Sequence, residues 1–230
     1  MTEKRLARLR GHFITFEGGE GSGKSTHAAT LAQRLKSLGL KVVLTREPGG
    51  STGAEIIRHI LLSGIAKPLG AETEAILFAA ARDDHVRNTI LPGLNSGHWV
   101  ICDRFIDSTR VYQGALGNVD QRLIRSLERV TVGSAVPELT FILDVPVKVG
   151  LARAKSRRGK SIADRFEAES NEFHEKLRQA YRALATDEPK RCIVVDGRAP
   201  REVVADHIWS IVQERLRPER AEEMTETSAP

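Results

Sequence analysis

A chain of 230 residues, of which 40% are hydrophobic and 28% charged, is long enough to bury the core of one α/β domain with a small insert. Its net charge of +5 suits a polyanionic ligand such as a nucleotide, but aromatic residues make up only 5% and no basic run is interleaved with them, which argues against a nucleic-acid partner. No apolar run reaches the length of a membrane span, and both cysteines fall in predicted strands, so we expect a cytoplasmic protein without membrane contact.

Predicted strands and helices alternate along the chain. The strands are residues 12–17, 41–45, 98–102, 139–143 and 192–195, and the helices are residues 24–38, 54–62, 72–91, 121–131, 147–154, 169–185 and 201–216. The third helix is expected to end at Pro92-Gly93. This alternation predicts a mostly parallel sheet with ligands at the carboxyl ends of its strands. A basic tail at residues 1–11 precedes the domain at residues 12–216, and an acidic stretch at residues 217–230, expected to be disordered, follows it.

A glycine-rich loop between the first strand and the first helix carries the pattern G-x-x-x-x-G-K-S. Strand, loop and helix together predict a phosphate site, because inward-facing N–H groups and a helix N-terminus attract phosphate oxygens. Lys24 is expected to reach the β- and γ-phosphates of ATP, and the Ser25 hydroxyl to hold Mg²⁺, which prefers oxygen ligands. The predicted ATP-binding residues of the loop are Gly18, Gly19, Glu20, Gly21, Ser22, Gly23, Lys24, Ser25 and Thr26.

Two arginines, Arg46 and Arg104, directly follow predicted strands and are expected to point into the same cleft. Guanidinium groups match phosphate oxygens, so the pair indicates a second phosphate group on the acceptor. A monophosphate, with a second pKa of about 6, needs no base at neutral pH. An alcohol acceptor needs a carboxylate, for which Glu47 and Glu20 are available, so these residues leave a nucleoside kinase open.

Asp103 and Asp144 each follow an apolar strand and are alternative second ligands of Mg²⁺. We prefer Asp103, partly because Arg104 is its neighbour. The position of the third strand decides between them, since Asp103 is expected to reach the metal if that strand lies beside the first.

Four segments resemble the thymidylate kinase family: GGEGSGKST at 18–26, REPGG at 46–50, LFAAARDDH at 77–85 and DRFIDSTRVYQG at 103–114. The resemblance runs in order from about Phe13 to Trp209. It implies a P-loop nucleoside monophosphate kinase fold, with a five-stranded parallel sheet flanked by helices and a short mobile lid. It also implies transfer of the ATP γ-phosphate to dTMP with Mg²⁺, in dTTP synthesis, by a homodimer.

The resemblance assigns the residues that recognise the base. It implies that Phe78 stacks on the thymine ring. Arg82 lies four residues later on the same helix face and would hydrogen-bond a thymine carbonyl. Ser108 and Thr109 would supply hydroxyl groups near the base edge.

The same resemblance assigns the residues around the sugar and the acceptor phosphate. Tyr112 would lie under the sugar, where a ribose 2′-hydroxyl would clash, and Gln113 would help hold the nucleoside. Glu20 matches the acidic position that contacts the 3′-hydroxyl, and Arg46 and Arg104 match the acceptor-phosphate arginines.

A basic stretch at about residues 153–166 is implied to be the lid. Its arginines are Arg153, Arg157, Arg158 and Arg165. The phosphate loop contains no arginine, so the chain resembles the bacterial type, in which lid arginines close over the phosphates and neutralise transition-state charge. Arg153 and Arg165 fit that pattern best. Residues 196–200, which include Arg198, fall where the family contacts adenine.

Two rival functions stay open. A deoxynucleoside kinase would use a strand-two Glu-Pro, here Glu47-Pro48, to supply its base. A nucleotide-binding regulator would bind ATP but would have no use for the acceptor-side residues.

Overall fold

The computed structural model describes residues 11–159 and 165–218. The predicted basic tail up to residue 10, the middle of the predicted lid at residues 160–164, and the acidic stretch from residue 219 onward lie outside the described residues. Among the described helices, none is long and apolar enough to cross a membrane.

Strands and helices alternate as the sequence predicts. The strands are β1 (Phe13–Glu17), β2 (Val42–Arg46), β3 (Trp99–Asp103), β4 (Leu139–Asp144) and β5 (Cys192–Asp196). The α-helices are α1 (Lys24–Ser37), α2 (Thr52–Leu62), α3 (Gly70–His85), α4 (Leu91–Asn95), α5 (Ile106–Thr109), α6 (Gln121–Val132), α7 (Val147–Arg158), α8 (Asn171–Asp187) and α9 (Arg201–Leu216). A short 3₁₀ turn at Lys67–Leu69 and π-helical turns at Val86–Ile90 and Arg110–Leu116 join them.

The five strands form one parallel sheet in the order β2-β3-β1-β4-β5. The predicted α/β fold with a five-stranded parallel sheet flanked by helices is therefore confirmed. β1 lies at the centre, with Phe16 opposite Asp103 of β3 on one side and opposite Phe141 of β4 on the other. Loops that follow β1, β2 and β3 consequently meet at one edge of the sheet.

Apolar layers cover both faces of the sheet. On one face Phe16 packs with Leu35 of α1 and Ile208 of α9. On the other face Phe13 packs with Leu94 of α4. All of these side chains are buried, and each such burial contributes about 1.5–3 kcal/mol. The central strand is thereby held rigidly, and with it the loop that follows.

The expected end of the third helix at Pro92-Gly93 is wrong, because helical structure continues to Asn95. The chain widens into the π-helical turn at Val86–Ile90, so Pro92 falls in the first turn of α4, where a missing N–H is tolerated. Gly93 lets that helix approach the sheet, since a Cβ there would lie 3.2 Å from Val100.

Two further helical segments differ from the prediction. Residues 106–116 are helical, as α5 and a π-helical turn, although no helix is predicted there. Helix α7 continues to Arg158 instead of ending at residue 154, so the first half of the predicted lid is the last part of a helix. Gly159, with a φ of 62°, ends it in a conformation that favours glycine.

Candidate active site

The glycine loop after β1 folds tightly against α7. Gly21 has a φ of 64°, and a Cβ there would lie 1.9 Å from the carbonyl oxygen of Gly150, so no other residue fits without displacing the helix. The loop leads into the N-terminus of α1 at Lys24. Partial positive charge at that N-terminus favours an anion in the loop.

Lys24 lies curled over the loop. Its Nζ donates hydrogen bonds to the carbonyl oxygens of Gly18 at 3.0 Å and Gly19 at 2.7 Å, and it lies 3.4 Å from Ser22 Oγ. Burial, with Arg104 nearby, lowers the pKa of Lys24 to about 8. An incoming phosphate would favour the charged form of this amine and would exchange its carbonyl partners for phosphate oxygens.

Ser25 and Asp103 form an oxygen pair beside the loop. Ser25 Oγ donates a hydrogen bond to Asp103 Oδ2. The other carboxylate oxygen, Asp103 Oδ1, is buried with no hydrogen-bond partner among the described residues. A buried, unpartnered carboxylate oxygen next to a hydroxyl fits a hard cation such as Mg²⁺. Within the described part of the chain, no cluster of three or more His, Cys, Asp and Glu side chains could hold a metal ion.

The alternative aspartate is committed elsewhere. Both β3 and β4 flank β1, so strand order alone does not separate Asp103 from Asp144. The contacts do separate them, because Asp144 receives a two-pronged pair from Arg178 of α8, at 2.6 and 3.0 Å. Of the two aspartates, Asp103 is the one that accepts a hydrogen bond from Ser25.

A cavity of about 210 Å³ opens in front of the loop and brings most of the predicted residues together. The predicted residues that line it are Glu20, Gly21, Gly23, Lys24, Ser25, Arg46, Phe78, Arg82, Asp103, Arg104, Ser108, Thr109, Tyr112 and Gln113. Gly18, Gly19 and Ser22 form the back of the loop, against α7 and α8. A shallower hollow of about 600 Å³ beside β5 contains none of the predicted residues.

Arg104 lies at the floor of this cavity. Its backbone has a φ of 68°, which is uncommon for a residue with a side chain and stores strain. Its guanidinium donates to Glu20 Oε1, and it lies over the Tyr112 ring at 5.4 Å. Burial pushes the pKa of Glu20 upward, but Arg104 and Lys24 outweigh it and hold that pKa below its usual value. Positive charge thus dominates here.

Arg46 occupies the rim of the cavity. Its Nη2 donates to Glu55 Oε1 of α2 at 2.9 Å, and 55% of its side chain is exposed. An exposed pair of this kind contributes little to stability, so Arg46 can turn toward an anion at small cost.

Arg82 is held from behind by buried partners. Its Nε donates to Glu47 Oε2 at 2.9 Å, and its Nη2 donates to Thr109 Oγ1 at 2.9 Å. His85 Nδ1 lies 3.1 Å from the second oxygen of Glu47, and His85 Nε2 lies 2.7 Å from Thr45 Oγ1. Nη1 takes no part in these contacts, and Arg82 is one of the residues that line the cavity.

Three aromatic rings frame the other end of the cavity. Phe166 lies edge-on to Tyr112 with ring centroids 5.1 Å apart, and it lies 6.3 Å from Phe78. Phe78 and Tyr112 were predicted from their motifs. Phe166 was not, although it adjoins Arg165 in the predicted lid.

The lid arginines point in different directions. Arg153 donates to the carbonyl oxygen of Gly197 at 3.0 Å, and Arg165 pairs with Glu74 of α3. Neither lines the cavity in this conformation, whereas Arg157 does. Arg198 is exposed and pairs with Asp196, and Thr26 is exposed at the start of α1.

Several residues of the site escape the motifs. Glu17, the last residue of β1, and Tyr181 of α8 are fully buried behind Arg104 and carry no sequence signal beyond an unusual polar position in an apolar stripe. Glu74 is a second buried carboxylate of this kind. Polar residues in such stripes are the signal that could have found them.

A phosphate loop with a serine–aspartate oxygen pair beside it, facing an arginine-lined cavity on one parallel sheet, defines a nucleotide phosphotransferase of the P-loop class. The cavity is also lined by the aromatic rings of Phe78, Tyr112 and Phe166 and by the buried Arg82, which are groups suited to a flat ring.

Comparisons with known proteins agree with that class. A family model described as thymidylate kinase matches residues 16–208. The chain is 61% identical over 216 residues to thymidylate kinase of Afipia carboxidovorans, covering 93% of this chain and 95% of that protein. It is 60% identical over 207 residues to thymidylate kinase of a Bradyrhizobium species, strain BTAi1, covering 90% and 92%. The crystal structure of thymidylate kinase from Ehrlichia chaffeensis superposes with a TM-score of 0.70 at 33% identity, covering 89% of this chain and 99% of that one. The chain belongs to the thymidylate kinase family.

Proposed function

We propose that this chain transfers the γ-phosphoryl group of ATP to dTMP, giving ADP and dTDP on the route to dTTP. The observation that carries the proposal is that the phosphate loop and an arginine-lined acceptor cavity share one cleft, with Lys24 and Arg104 both lining it. Two phosphorylated molecules can meet there head to head, and positioning with charge neutralisation supplies the catalysis.

The contacts of Glu47 favour a phosphate acceptor over an alcohol. Glu47 is buried, and each of its two carboxylate oxygens already has a cationic or imidazole partner, Arg82 or His85. A carboxylate held between two such partners is a poor general base, because its position and its charge are already committed to them. Glu20, the other available carboxylate, is paired with Arg104. We therefore expect an acceptor whose nucleophilic oxygen is already ionised, as that of a monophosphate is.

Base recognition falls to the far end of the cavity. Phe78 offers a ring face for stacking, and Arg82 offers a donor to a thymine carbonyl from a position fixed by Glu47 and Thr109. Tyr112, braced by Arg104 and Phe166, closes the floor beneath the sugar. Ser108, Gln113 and Glu20 also line the cavity. Glu20 would contact the 3′-hydroxyl.

The donor side is built from the loop. ATP would place its phosphates against residues 18–26, with Lys24 on the β- and γ-phosphates. Ser25 and Asp103 would hold Mg²⁺, which would supply positive charge to neutralise the phosphate groups. Arg198, beside Gly197, would adjoin the adenine.

The lid would contribute its arginines when both nucleotides are bound. Arg157 lines the cavity and pairs with Glu167 at 3.4 Å, whereas Arg153 and Arg165 do not line it in this conformation. We assign it the neutralisation of charge on the transferred group, with Arg153 and Arg165 joining after rearrangement.

We further propose a homodimer in the cytoplasm. Exposed isoleucines on α2 and α3, Ile56, Ile60 and Ile76, lie on two helices that pack together and would be covered by a second copy. Both cysteines, Cys102 and Cys192, are free and buried, as suits a reducing compartment. Sedimentation velocity would show a dimer, and a monomer at assay concentration would contradict it.

A coupled assay of ADP release tests the reaction. Equal amounts of dTMP, dUMP, dCMP, dGMP and thymidine are compared, with dTMP expected to be turned over fastest and thymidine not at all. Turnover of thymidine without dTMP would establish a nucleoside kinase instead. Tight ATP binding with no acceptor phosphorylated would favour the regulator.

A further inference from the structure

A buried hydrogen-bond cluster, anchored by Glu17 and Tyr181, lies directly behind Arg104. Neither Glu17 nor Tyr181 is among the residues that line the acceptor cavity. Glu17, at the carboxyl end of β1, has no exposed surface, and its two oxygens accept four hydrogen bonds. Oε1 accepts from the backbone N–H groups of Phe105 at 2.8 Å and Ser108 at 3.2 Å. Oε2 accepts from Ser108 Oγ at 2.7 Å and Tyr181 Oη at 2.9 Å.

These contacts fix the chain immediately after Arg104. Arg104 has a left-handed backbone, which the following residues must stabilise because it stores about 1–3 kcal/mol of strain. The two N–H groups bound by Glu17 belong to the turn that leaves Arg104 and opens α5. One carboxylate therefore holds the turn that gives the arginine its direction.

The Tyr181 hydroxyl joins the same cluster from α8. It lies 3.0 Å from Ser108 Oγ and 3.4 Å from Arg104 Nη1. Its ring is 1% exposed, so the hydroxyl makes its contacts inside the protein. Arg104 Nη1 also approaches Ser108 Oγ at 3.3 Å and donates to the carbonyl oxygen of Gly18 at 3.2 Å.

We propose that Glu17 and Tyr181 are positioning residues for the acceptor phosphate: together they aim the Arg104 guanidinium, through the turn at residues 105–108 and through the Tyr181 hydroxyl. This inference rests on the proposed function, because it takes the acceptor phosphate as the ligand of Arg104. It assigns no contact with substrate to either residue.

The positioning of Arg104 also depends on the charge of Glu17. Burial and the nearby Asp107 carboxylate raise the pKa of Glu17 to about 7, against the opposing influence of Arg104 and the Ser108 hydrogen bond. The titratable or charged groups that interact with it from the surrounding elements are Lys24 of α1, Cys102 of β3, Arg104, Asp107 of α5, Tyr112, Tyr181 of α8 and Cys192 of β5. Protonated Glu17 would have one acceptor oxygen fewer and would no longer attract Arg104.

The test compares three variants by steady-state kinetics for dTMP and ATP. Tyr181→Phe removes only the hydroxyl, and Glu17→Gln imitates the protonated carboxyl. Glu138→Gln is the control. Glu138 also accepts a hydrogen bond from a backbone N–H group, that of Phe13 at 3.3 Å, but it does so at the end of β1 opposite to Glu17. Circular dichroism shows whether each variant folds.

We expect Tyr181→Phe to raise KM for dTMP about tenfold, equivalent to about 1.4 kcal/mol, and to leave KM for ATP within about twofold. For Glu17→Gln, the ratio of its dTMP KM to that of the wild type should be about tenfold at about pH 8.5 and near one at about pH 6, where wild-type Glu17 is itself protonated. Taking the ratio removes the ionisation of dTMP, which is the same for both enzymes.

Four results would overturn the inference. These are an unchanged dTMP KM in Tyr181→Phe, a ratio for Glu17→Gln that is the same at both pH values, an equal rise in the ATP KM, and an equal effect in Glu138→Gln. If Glu17→Gln does not fold, Tyr181→Phe decides alone. A wild-type enzyme that does not phosphorylate dTMP would instead sink the proposed function, so the two failures are distinguishable.

Discussion

Replacing Arg82 by alanine should damage both stability and acceptor binding, because the side chain is buried against a carboxylate. Arg82 and Glu47 side chains are 2% and 5% exposed, so the variant leaves Glu47 buried with His85 as its remaining partner. Breaking a buried ion pair by removing one partner costs about 3–5 kcal/mol. For a domain of this size that loss lowers Tm by roughly 6–20 °C.

The same variant separates the two substrates. If Arg82 donates to a thymine carbonyl as proposed, its loss should raise Kd for dTMP by about 10²-fold or more, since a buried polar partner is left unsatisfied, while Kd for ATP changes by less than about threefold. Isothermal titration calorimetry with each nucleotide, together with urea unfolding, measures both effects. Glu47→Gln combined with Arg82→Ala should be less destabilised than the sum of the single variants, because the stranded charge is gone.

The control is Arg87→Ala. Arg87 pairs with Asp83 one turn away, at 2.9 Å, but 69% of its side chain is exposed, so its loss should change stability by less than about 0.5 kcal/mol. Additive effects at Arg82 and Glu47, or unchanged dTMP binding in Arg82→Ala, would refute the reasoning about the buried pair.

Four further predictions concern the donor side. Lys24→Ala should abolish turnover, since it removes the positive charge that would neutralise the donor phosphates, yet it should keep dTMP affinity in calorimetry. Equal loss of turnover and of dTMP affinity would argue against separate donor and acceptor roles. Because the pKa of Lys24 is lowered to about 8, its ammonium group loses a proton above that pH in the free enzyme. The value of kcat/KM for ATP should therefore fall on the alkaline side, and a flat pH profile would contradict that role of Lys24. Asp103→Asn should raise the Mg²⁺ concentration needed for half-maximal rate at least about tenfold, and an unchanged requirement would remove it from the metal site. Arg157→Ala should lower kcat by about 10³-fold with little change in either KM, whereas normal kcat would return the role to another lid arginine.

The fold could be predicted because its signals are local. Each strand is a short apolar run, and Gly23-Lys24-Ser25 with its flanks fixes a strand, a loop and a helix in order. The segment at residues 106–116 was missed because Ser108, Thr109 and Gly114 are weak helix formers, and its π-helical part depends on packing against neighbours. The end of the third helix was predicted wrongly from Pro92. A proline does not interrupt a helix when it lies in the first turn, and the sequence does not show that a new helix begins at Leu91.

The cleft could be predicted from motifs, and the residues behind it could not. Loop glycines and strand-end arginines carry their chemistry in residue type and position. Glu17 and Tyr181 meet across 164 positions of sequence, and Arg165 and Glu74 across 91, so their pairing follows from the sheet and helix packing. A buried acid in an apolar strand signals that a partner exists but does not name it.

Phosphoryl transfer itself is the most direct test of the account. ATP radiolabelled in its γ-phosphate is incubated with dTMP, Mg²⁺ and the enzyme, and the nucleotides are separated by chromatography. We expect label in the β-phosphate of dTDP in amounts equal to the ADP formed, and no such transfer by Arg104→Ala at the same dTMP concentration. Label that appears only in inorganic phosphate, with none in dTDP, would contradict it.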